Sequence, residues 1–333
     1  MRKIKSGDTL CAGIATGVPY KFLDALADYS LENLENVEFY HGAGFKPYKL
    51  GLPQYNGHLN VKSFFYGPVE RAFVGYGSHF PYQPIHLSQT TRDRTVTHRG
   101  NVLLAAGTEP DENGMISLGP SPMGGDMLDY YDTVIVQVNK QMPYVYGEGA
   151  VNNSRKTLMP GKTVLGFSLG SREMYDFMDH NHDIEARPFA WVNDPRVIAQ
   201  NDNMVSINGA MQVDLMGQVC AESIGPRQFS GTGGQADFVR GANWSKGGMS
   251  FLCLPSTLTT KSGEVKSKIS CALPLGSVVT TPRADVQYIV TEYGVADHRN
   301  EPLDVRAKRL IAIAHPDFRD QLTFEAKKAG FIV

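Results

Sequence analysis

Three glycines fall within four residues at 231–234, inside Phe229-Ser230-Gly231-Thr232-Gly233-Gly234-Gln235-Ala236-Asp237-Phe238. Successive small residues let backbone N–H groups converge, and such a nest can hold an oxyanion or a phosphate. Gln235 adds a neutral amide donor, and Asp237 can fix the loop through local hydrogen bonds. The plain alternative is a glycine-rich turn with no ligand. Glu222 in Ala221-Glu222-Ser223-Ile224-Gly225 and Glu292 in Thr291-Glu292-Tyr293-Gly294 each set a carboxylate beside glycine. Either could act as nucleophile or acid in a cleft, or serve only as a structural hydrogen-bond acceptor.

A second glycine pair, Gly13-Ile14-Ala15-Thr16-Gly17-Val18-Pro19, leads into a helical pattern. Free N–H groups at a helix start attract anions. The Lys-Ser/Thr of a P-loop and the third glycine of a dinucleotide fingerprint are both missing, so the segment also reads as an ordinary strand-to-helix turn. Met204 to Gln218 mixes apolar residues with Asn208, Asp214 and Gln218, which line a cleft or bond to neighbouring loops. The histidines show no HExxH spacing. His180 and His182 flank Asn181 in what reads as a solvated polar turn, so no metal site is expected.

These residues need elements to hold them. Apolar, β-branched runs at 133–138, 163–167 and 285–290 read as buried strands. Between such runs lie helical patterns. Phe22, Leu26 and Tyr29 recur after Pro19, with Leu23 and Ala27 beside them. Met174, Phe177 and Met178 follow a capping Ser171. Ala307, Leu310, Ile311 and Ala314 form a stripe that His315-Pro316 stops. A last helix is expected over 318–329, closed by Gly330. Strands alternating with helices predict an α/β architecture with a mainly parallel sheet. Residues 252–272 predict a hairpin around Lys261-Ser262-Gly263-Glu264, and Gly247-Gly248 a turn before the run 249–254. Turn chemistry clusters at 147–162, and the domain boundary is placed there, giving domains 1–149 and 150–333.

The chain has 333 residues, or about two domains at about 150 residues each. Hydrophobic residues at 42% and charged residues at 20% exclude a disordered or collagen-like chain. Lys+Arg 32 against Asp+Glu 34 gives a formal charge of −2, which offers no electrostatic footprint for nucleic acid or an anionic membrane. Cys11, Cys220, Cys253 and Cys271 lie far apart and read as buried thiols in a reducing compartment. The basic N-terminus lacks an apolar run and no stretch approaches the length of a membrane span. A cytoplasmic protein is expected, with a mitochondrial location as the alternative.

Several motifs occur in one order: Asn201-Asp202-Asn203-Met204, Gln212-Val213-Asp214-Leu215-Met216-Gly217-Gln218-Val219, Ala221-Glu222-Ser223-Ile224-Gly225 and Gly233-Gly234-Gln235-Ala236-Asp237-Phe238-Val239-Arg240-Gly241-Ala242. Thr291-Glu292-Tyr293-Gly294-Val295-Ala296 and Ala314-His315-Pro316-Asp317-Phe318-Arg319 follow. The set resembles the acetyl-CoA hydrolase/transferase family, and within it the 4-hydroxybutyrate and butyryl-CoA:acetate CoA-transferases. Pro110-Asp111-Glu112-Asn113-Gly114 with Ser117 and Gly119 fits that family's N-terminal domain, so the resemblance covers nearly the whole chain. It implies two similar open α/β domains, a homodimer, and transfer of coenzyme A between a short-chain acyl-CoA (acetyl, butyryl or 4-hydroxybutyryl) and a carboxylate such as acetate. Coenzyme A is then a substrate, and no permanently bound cofactor is implied. In the family a glutamate attacks the thioester and becomes a glutamyl-CoA thioester, which divides one hard exchange into similar steps. By motif, Met211, Gly233, Gly234 and Gln235 correspond to coenzyme A contacts.

The resemblance also implies a Gly-x-Gly-x-x-Pro loop and a His-x-Glu-Met-x-x-Asp-Gly segment early in the second domain, the latter carrying the catalytic glutamate. Here Gly147-Glu148-Gly149 runs almost directly into Ala150-Val151-Asn152-Asn153-Ser154-Arg155-Lys156, which reads as the tail of that segment. A long stretch is expected to be missing, truncating the second domain at its start. Glu148 and Glu222 are the substitute nucleophiles. The alternatives are a coenzyme A-binding or partner subunit without activity, an acetyl-CoA hydrolase, and a shortened version of a complete enzyme.

Overall fold

The computed structural model describes residues 1, 3–146 and 156–333. Contacts divide the chain into two units, Met1–Asp194 and Pro195–Val333.

The first unit is built on a parallel sheet of β1 (Thr9–Ala12), β2 (Val37–His41), β3 (Leu59–Ser63), β4 (Val102–Gly107) and β5 (Thr133–Val138), in the order β3-β2-β1-β4-β5. Successive strand residues point to opposite faces, so one strand feeds two cores. Leu10, Phe39, Val102 and Leu104 pack on one face with Leu23, Leu26 and Ala27 of α1 (Tyr20–Asn33) and Phe73 of α2 (Pro68–Gly75). Cys11, Tyr40 and Leu103 enter the other, with Phe64, Met123, Met127 and Phe189. α3 (Thr90–Arg92) continues as a π-helical turn over Asp93–Thr97. A small parallel pair, β6 (Thr163–Leu165) and β7 (Ile184–Ala186), brackets α4 (Arg172–Met178), and α5 (Phe189–Val192) follows.

The second unit opens with α6 (Pro195–Ile198), β8 (Val205–Gly209), β9 (Gln212–Asp214), β10 (Val219–Cys220), β11 (Ser223–Ile224) and β12 (Arg227–Gln228). Then come α7 (Gln235–Trp244), β13 (Met249–Cys253), the hairpin β14 (Thr257–Thr259) with β15 (Val265–Ser267), β16 (Ile269–Ser270), β17 (Tyr288–Thr291) and β18 (Gly294–Asp297). α8 (Leu303–Ala312) and α9 (Pro316–Lys328) close the chain. Its main sheet runs β18-β17-β13-β8, parallel apart from β18. Val239 of α7, Leu310 of α8 and Leu322 of α9 pack with Leu252 and Ile289 of that sheet. Truncating such a side chain to alanine costs about 2–5 kcal/mol, the lost burial plus the cavity left behind.

The α/β architecture and its parallel sheets follow the alternation in the sequence, and several local expectations are corrected. The 133–138 run is an edge strand rather than a buried one, with Val134 and Val138 exposed. An edge strand with the same β-branched composition is half-solvated because it has one neighbour only. The 163–167 strand ends at Leu165, is not buried and belongs to the small pair, and that of 285–290 begins at Tyr288. Residues 249–253 form a parallel strand of the main sheet, so the hairpin starts at Thr257. Phe177 is exposed where Met178 is buried, which narrows the α4 stripe. α8 stops at Ala312. Cys253 and Cys271 are only partly buried, and all four thiols are free. Turn residues 147–155, with Glu148 and the expected boundary at 149–150, lie outside the described residues. Among the described residues no helix is long and apolar enough to cross a membrane.

Candidate functional site

The glycine-rich loop is suspended between a strand pair and a helix. β11 turns at Gly225, whose φ of +54° suits glycine, and returns as β12. The chain then passes Glu222 again. The N–H groups of Phe229 and Ser230 donate to the Glu222 carbonyl at 2.8 and 3.0 Å. Gln228 Nε2 and Thr232 Oγ1 donate to its carboxylate at 3.1 and 3.2 Å. Glu222 is 2% exposed. Its backbone and its side chain therefore both tie down the loop it faces. Gly233 follows at φ +59°, and Gly234 caps α7 without a side chain. The loop thus delivers an open helix start whose first N–H groups have no intrahelical partner. Asp237, buried in the first turn, complements the helix dipole.

Met211 and Gln235 reach the same framework through one chain of bonds. The Met211 N–H donates to the Cys220 carbonyl at 2.9 Å. The neighbouring Val219 N–H donates to the Thr281 carbonyl at 3.1 Å, and Gln235 Nε2 donates to Thr281 Oγ1 at 3.0 Å. Ala221 N–H bonds Thr280 Oγ1 at 2.9 Å. The pair Thr280-Thr281 therefore joins β10, the Glu222 segment and the start of α7. Sequence reading singled out Gln235 as a donor and missed the threonines that hold it.

Other candidates are placed in structural roles. Asp214 accepts from Gln218 Nε2 at 2.7 Å and from the N–H groups of Met216 and Gln218, closing a tight turn. Asn208 donates to Ser206 Oγ at 2.8 Å. Glu292 is exposed and accepts from Ser256 Oγ at 2.6 Å and Ser256 N–H at 2.9 Å; the serine hydroxyl holds its carboxyl below the usual range. His180 and His182 are not merely solvated: they stack on Tyr144 and Tyr146 at centroid distances of 5.0 and 4.2 Å. Among the described residues no group of three or more His, Cys, Asp or Glu side chains is placed to hold a metal ion.

The Gly13–Pro19 segment borders a separate cavity of about 580 Å³ in the first unit. Ala15 adopts φ +64° and donates its N–H to the Ala43 carbonyl at 3.3 Å. Gly17 lies so near Ser121 that an added Cβ would meet its carbonyl oxygen at 3.0 Å. Opposite, Glu70 is fully buried and accepts from the N–H groups of Gly44 and Gly67, both at 2.7 Å, which fixes the loop carrying Phe45 and Lys46. Burial pushes the Glu70 carboxyl up.

Comparison with known proteins bears on this arrangement. The family model for the acetyl-CoA hydrolase/transferase C-terminal domain matches residues 170–326. A butyryl-CoA:acetate CoA-transferase of Anaerostipes caccae is 30% identical, with 99% of this chain and 94% of that protein aligned. The chain belongs to the acetyl-CoA hydrolase/transferase family. A second relative, the 4-hydroxybutyrate coenzyme A transferase of Clostridium kluyveri, is 53% identical over 180 residues, which cover 54% of this chain and 41% of the relative. In that match the chain spans less than half of the relative's length. The crystal structure of RipA from Yersinia pestis superposes with a TM-score of 0.88 at 30% identity, covering 99% of this chain and 96% of that one. The match to the Anaerostipes protein extends over 423 residues where this chain has 333, which leaves about 90 aligned positions without a residue here.

Proposed function

We propose that this chain binds coenzyme A thioesters at the glycine-rich start of α7 and moves coenzyme A between a short-chain acyl-CoA and a carboxylate such as acetate. One observation carries the reading. Glu222 holds Thr232 and Thr281 holds Gln235, so Gly233 and Gly234 lie between two anchored residues at a helix start, in a member of a family whose relatives carry CoA-transferase names. Backbone donors there suit a developing oxyanion or a phosphate. Met211, Gly233, Gly234 and Gln235 are assigned as coenzyme A contacts. A glutamyl-CoA thioester is the assigned intermediate, with Glu222 or Glu148 as the carboxylate that forms it. The chain is assigned two domains meeting within 147–162, a cytoplasmic location and a homodimeric state. The test is acetate-dependent coenzyme A exchange with butyryl-CoA. Exchange above background is expected, and its absence where a full-length relative is active would overturn the reading.

The missing aligned positions favour a second reading, in which coenzyme A binds without turnover. Calorimetry with coenzyme A separates the two: heat of binding without exchange supports this one, and no heat at millimolar ligand excludes it.

A further inference from the structure

Another cavity of the first unit, of about 370 Å³, lies beside the π-helical turn that follows α3, and Ile85, Gln89, Arg92 and His98 are among the residues lining it. That volume is within the range of small-molecule sites. The turn has an unusual geometry that positions one of these side chains. In an α-helix side chains advance by about 100° per residue, so residues five apart lie well separated around the axis. Here the His98 N–H donates to the Asp93 carbonyl at 2.6 Å, a bond across five residues that widens the turn. The wider turn brings the two side chains together, and His98 Nδ1 donates to Asp93 Oδ1 at 2.8 Å. Turns of this kind occur frequently at functional sites.

Asp93 is itself held from behind. Arg94, 1% exposed, donates through Nη1 to Asp93 Oδ2 at 2.6 Å and through Nη2 to Gln83 Oε1 at 2.8 Å. Gln83 Nε2 donates to Asp93 Oδ2 at 3.2 Å. Arg94 lies over the Tyr40 ring, 4.3 Å from its centroid. Arg94 and Gln83 thus satisfy the carboxylate without the histidine, and the bond to His98 serves to orient an exposed imidazole. A carboxylate acceptor places the proton on Nδ1 and leaves the lone pair on Nε2. Gln83 Nε2 approaches the same Nδ1 only at 3.3 Å, a weaker competitor than a charged acceptor at 2.8 Å. Among the described residues neither His98 Nε2 nor the Arg92 guanidinium has a bonded partner. A base oriented by a third group, with a cation on the same cavity wall, suits general-base attack by water on an acyl carbon.

We propose that this cavity is a second, hydrolytic site of the chain, acting on small uncharged oxygen esters, with His98 as general base and Asp93 as its positioning residue. The acyl group lies against Ile85. His98 Nε2 takes a proton from water as the water oxygen bonds to the ester carbonyl carbon, and the carbonyl electron pair moves onto its oxygen beside Arg92. That pair returns as the bond to the alkoxy oxygen breaks, and Nε2–H gives its proton to the departing oxygen. Ester and water become acid and alcohol, with no change of oxidation state. The site rests on the first unit alone and needs no coenzyme A.

Hydrolysis of p-nitrophenyl acetate by the full chain, without coenzyme A, tests the proposal through release of p-nitrophenolate. Turnover above that of free imidazole at the same concentration as the protein's histidines is expected, and slower in D₂O because a proton moves. His98→Gln should lower kcat by about a hundredfold, and Arg92→Gln by at least about tenfold with KM little changed. Both side chains are exposed, so an unchanged thermal melt verifies folding. Asp93→Asn should lower kcat with KM unchanged, and Asp93→Glu should recover part of the loss. Wild-type turnover no faster than imidazole, or an unaffected His98→Gln, overturns the proposal. A burst of p-nitrophenolate marks an acylated side chain and overturns the general-base role. Because coenzyme A exchange is measured separately, its absence leaves this result standing.

Discussion

Thr232 donates its hydroxyl to the carboxylate of Glu222 at 3.2 Å, across ten residues of chain, from the glycine-rich loop to the strand pair that precedes it. A buried carboxylate used in this way gives the loop a fixed anchor. Bonds to a charged acceptor are worth about 1.5–3 kcal/mol each, and removing the acceptor strands its donors.

Glu222→Ala is expected to destabilise the protein by about 2 kcal/mol and to weaken coenzyme A binding, whereas Glu222→Gln, which keeps an acceptor oxygen, should lose less than half as much stability. Urea unfolding and calorimetry read the two effects. Glu222→Gln that binds coenzyme A normally but abolishes exchange would identify the carboxylate as the nucleophile rather than only an anchor.

The two adjacent glycines should respond differently to alanine. Gly233 occupies the left-handed region at φ +59°, where a Cβ costs about 1–2 kcal/mol, while Gly234 at φ −99° is open to any residue on backbone grounds. Gly233→Ala is therefore expected to lower the unfolding midpoint. Gly234→Ala should leave it nearly unchanged and reveal itself only in coenzyme A affinity.

Two buried histidines set an acid limit on stability. His41 bonds the Tyr48 hydroxyl at 2.6 Å through Nε2, and His298 has no partner for either ring nitrogen among the described residues. Burial lowers both from 6.5 to about 4, with Arg306 and Arg309 adding to the effect at His298. The unfolded chain takes up these protons near pH 6.5, and the folded chain only near pH 4. Their contribution is complete above pH 6.5 and is lost as the pH falls to 4, by about 3 kcal/mol for each group. His298→Leu should flatten the slope of unfolding free energy between pH 7 and 4.5; an unchanged slope would refute the assignment.

Glu70 is expected to matter more than its position in a loop-flanking helix suggests. Glu70→Ala leaves the N–H groups of Gly44 and Gly67 without their acceptor and should cost about 3 kcal/mol. Glu70→Gln should recover part of this, because one amide oxygen can still accept. Thermal melts of the two variants decide the matter.

Features carried by local chemistry were legible in the sequence. α1, the Ser171 cap with its Oγ accepting from Met174 N–H, the Lys261–Glu264 turn and the Gly330 stop all lie where residue types place them. Features set by neighbours in space were not. Nothing in the run 133–138 says that β5 lies at an edge, and nothing in Thr-Thr-Arg-Asp-Arg says that Arg94 is 1% exposed, bonded to Asp93 at 2.6 Å and stacked over Tyr40. The glycine-rich loop and Glu222 were both visible as types. Their bond was not, since it depends on the β11–β12 turn bringing residue 232 back to residue 222. The cavity beside Gly13–Pro19 was invisible for the same reason: Lys21, Lys46 and Arg172 on its border are gathered only by the order of strands.

That strand order has a further consequence for handling the protein. Among the described residues β5 pairs on one side only, and it shows Val134 and Val138 to solvent; β8, the other sheet's last strand, shows Val205 and Ile207. Each is an unfinished edge with β-branched side chains and no lysine within it to repel a second strand. Recovery from denaturant should therefore depend on dilution, with yield falling steeply as chains begin to meet one another faster than they close on themselves.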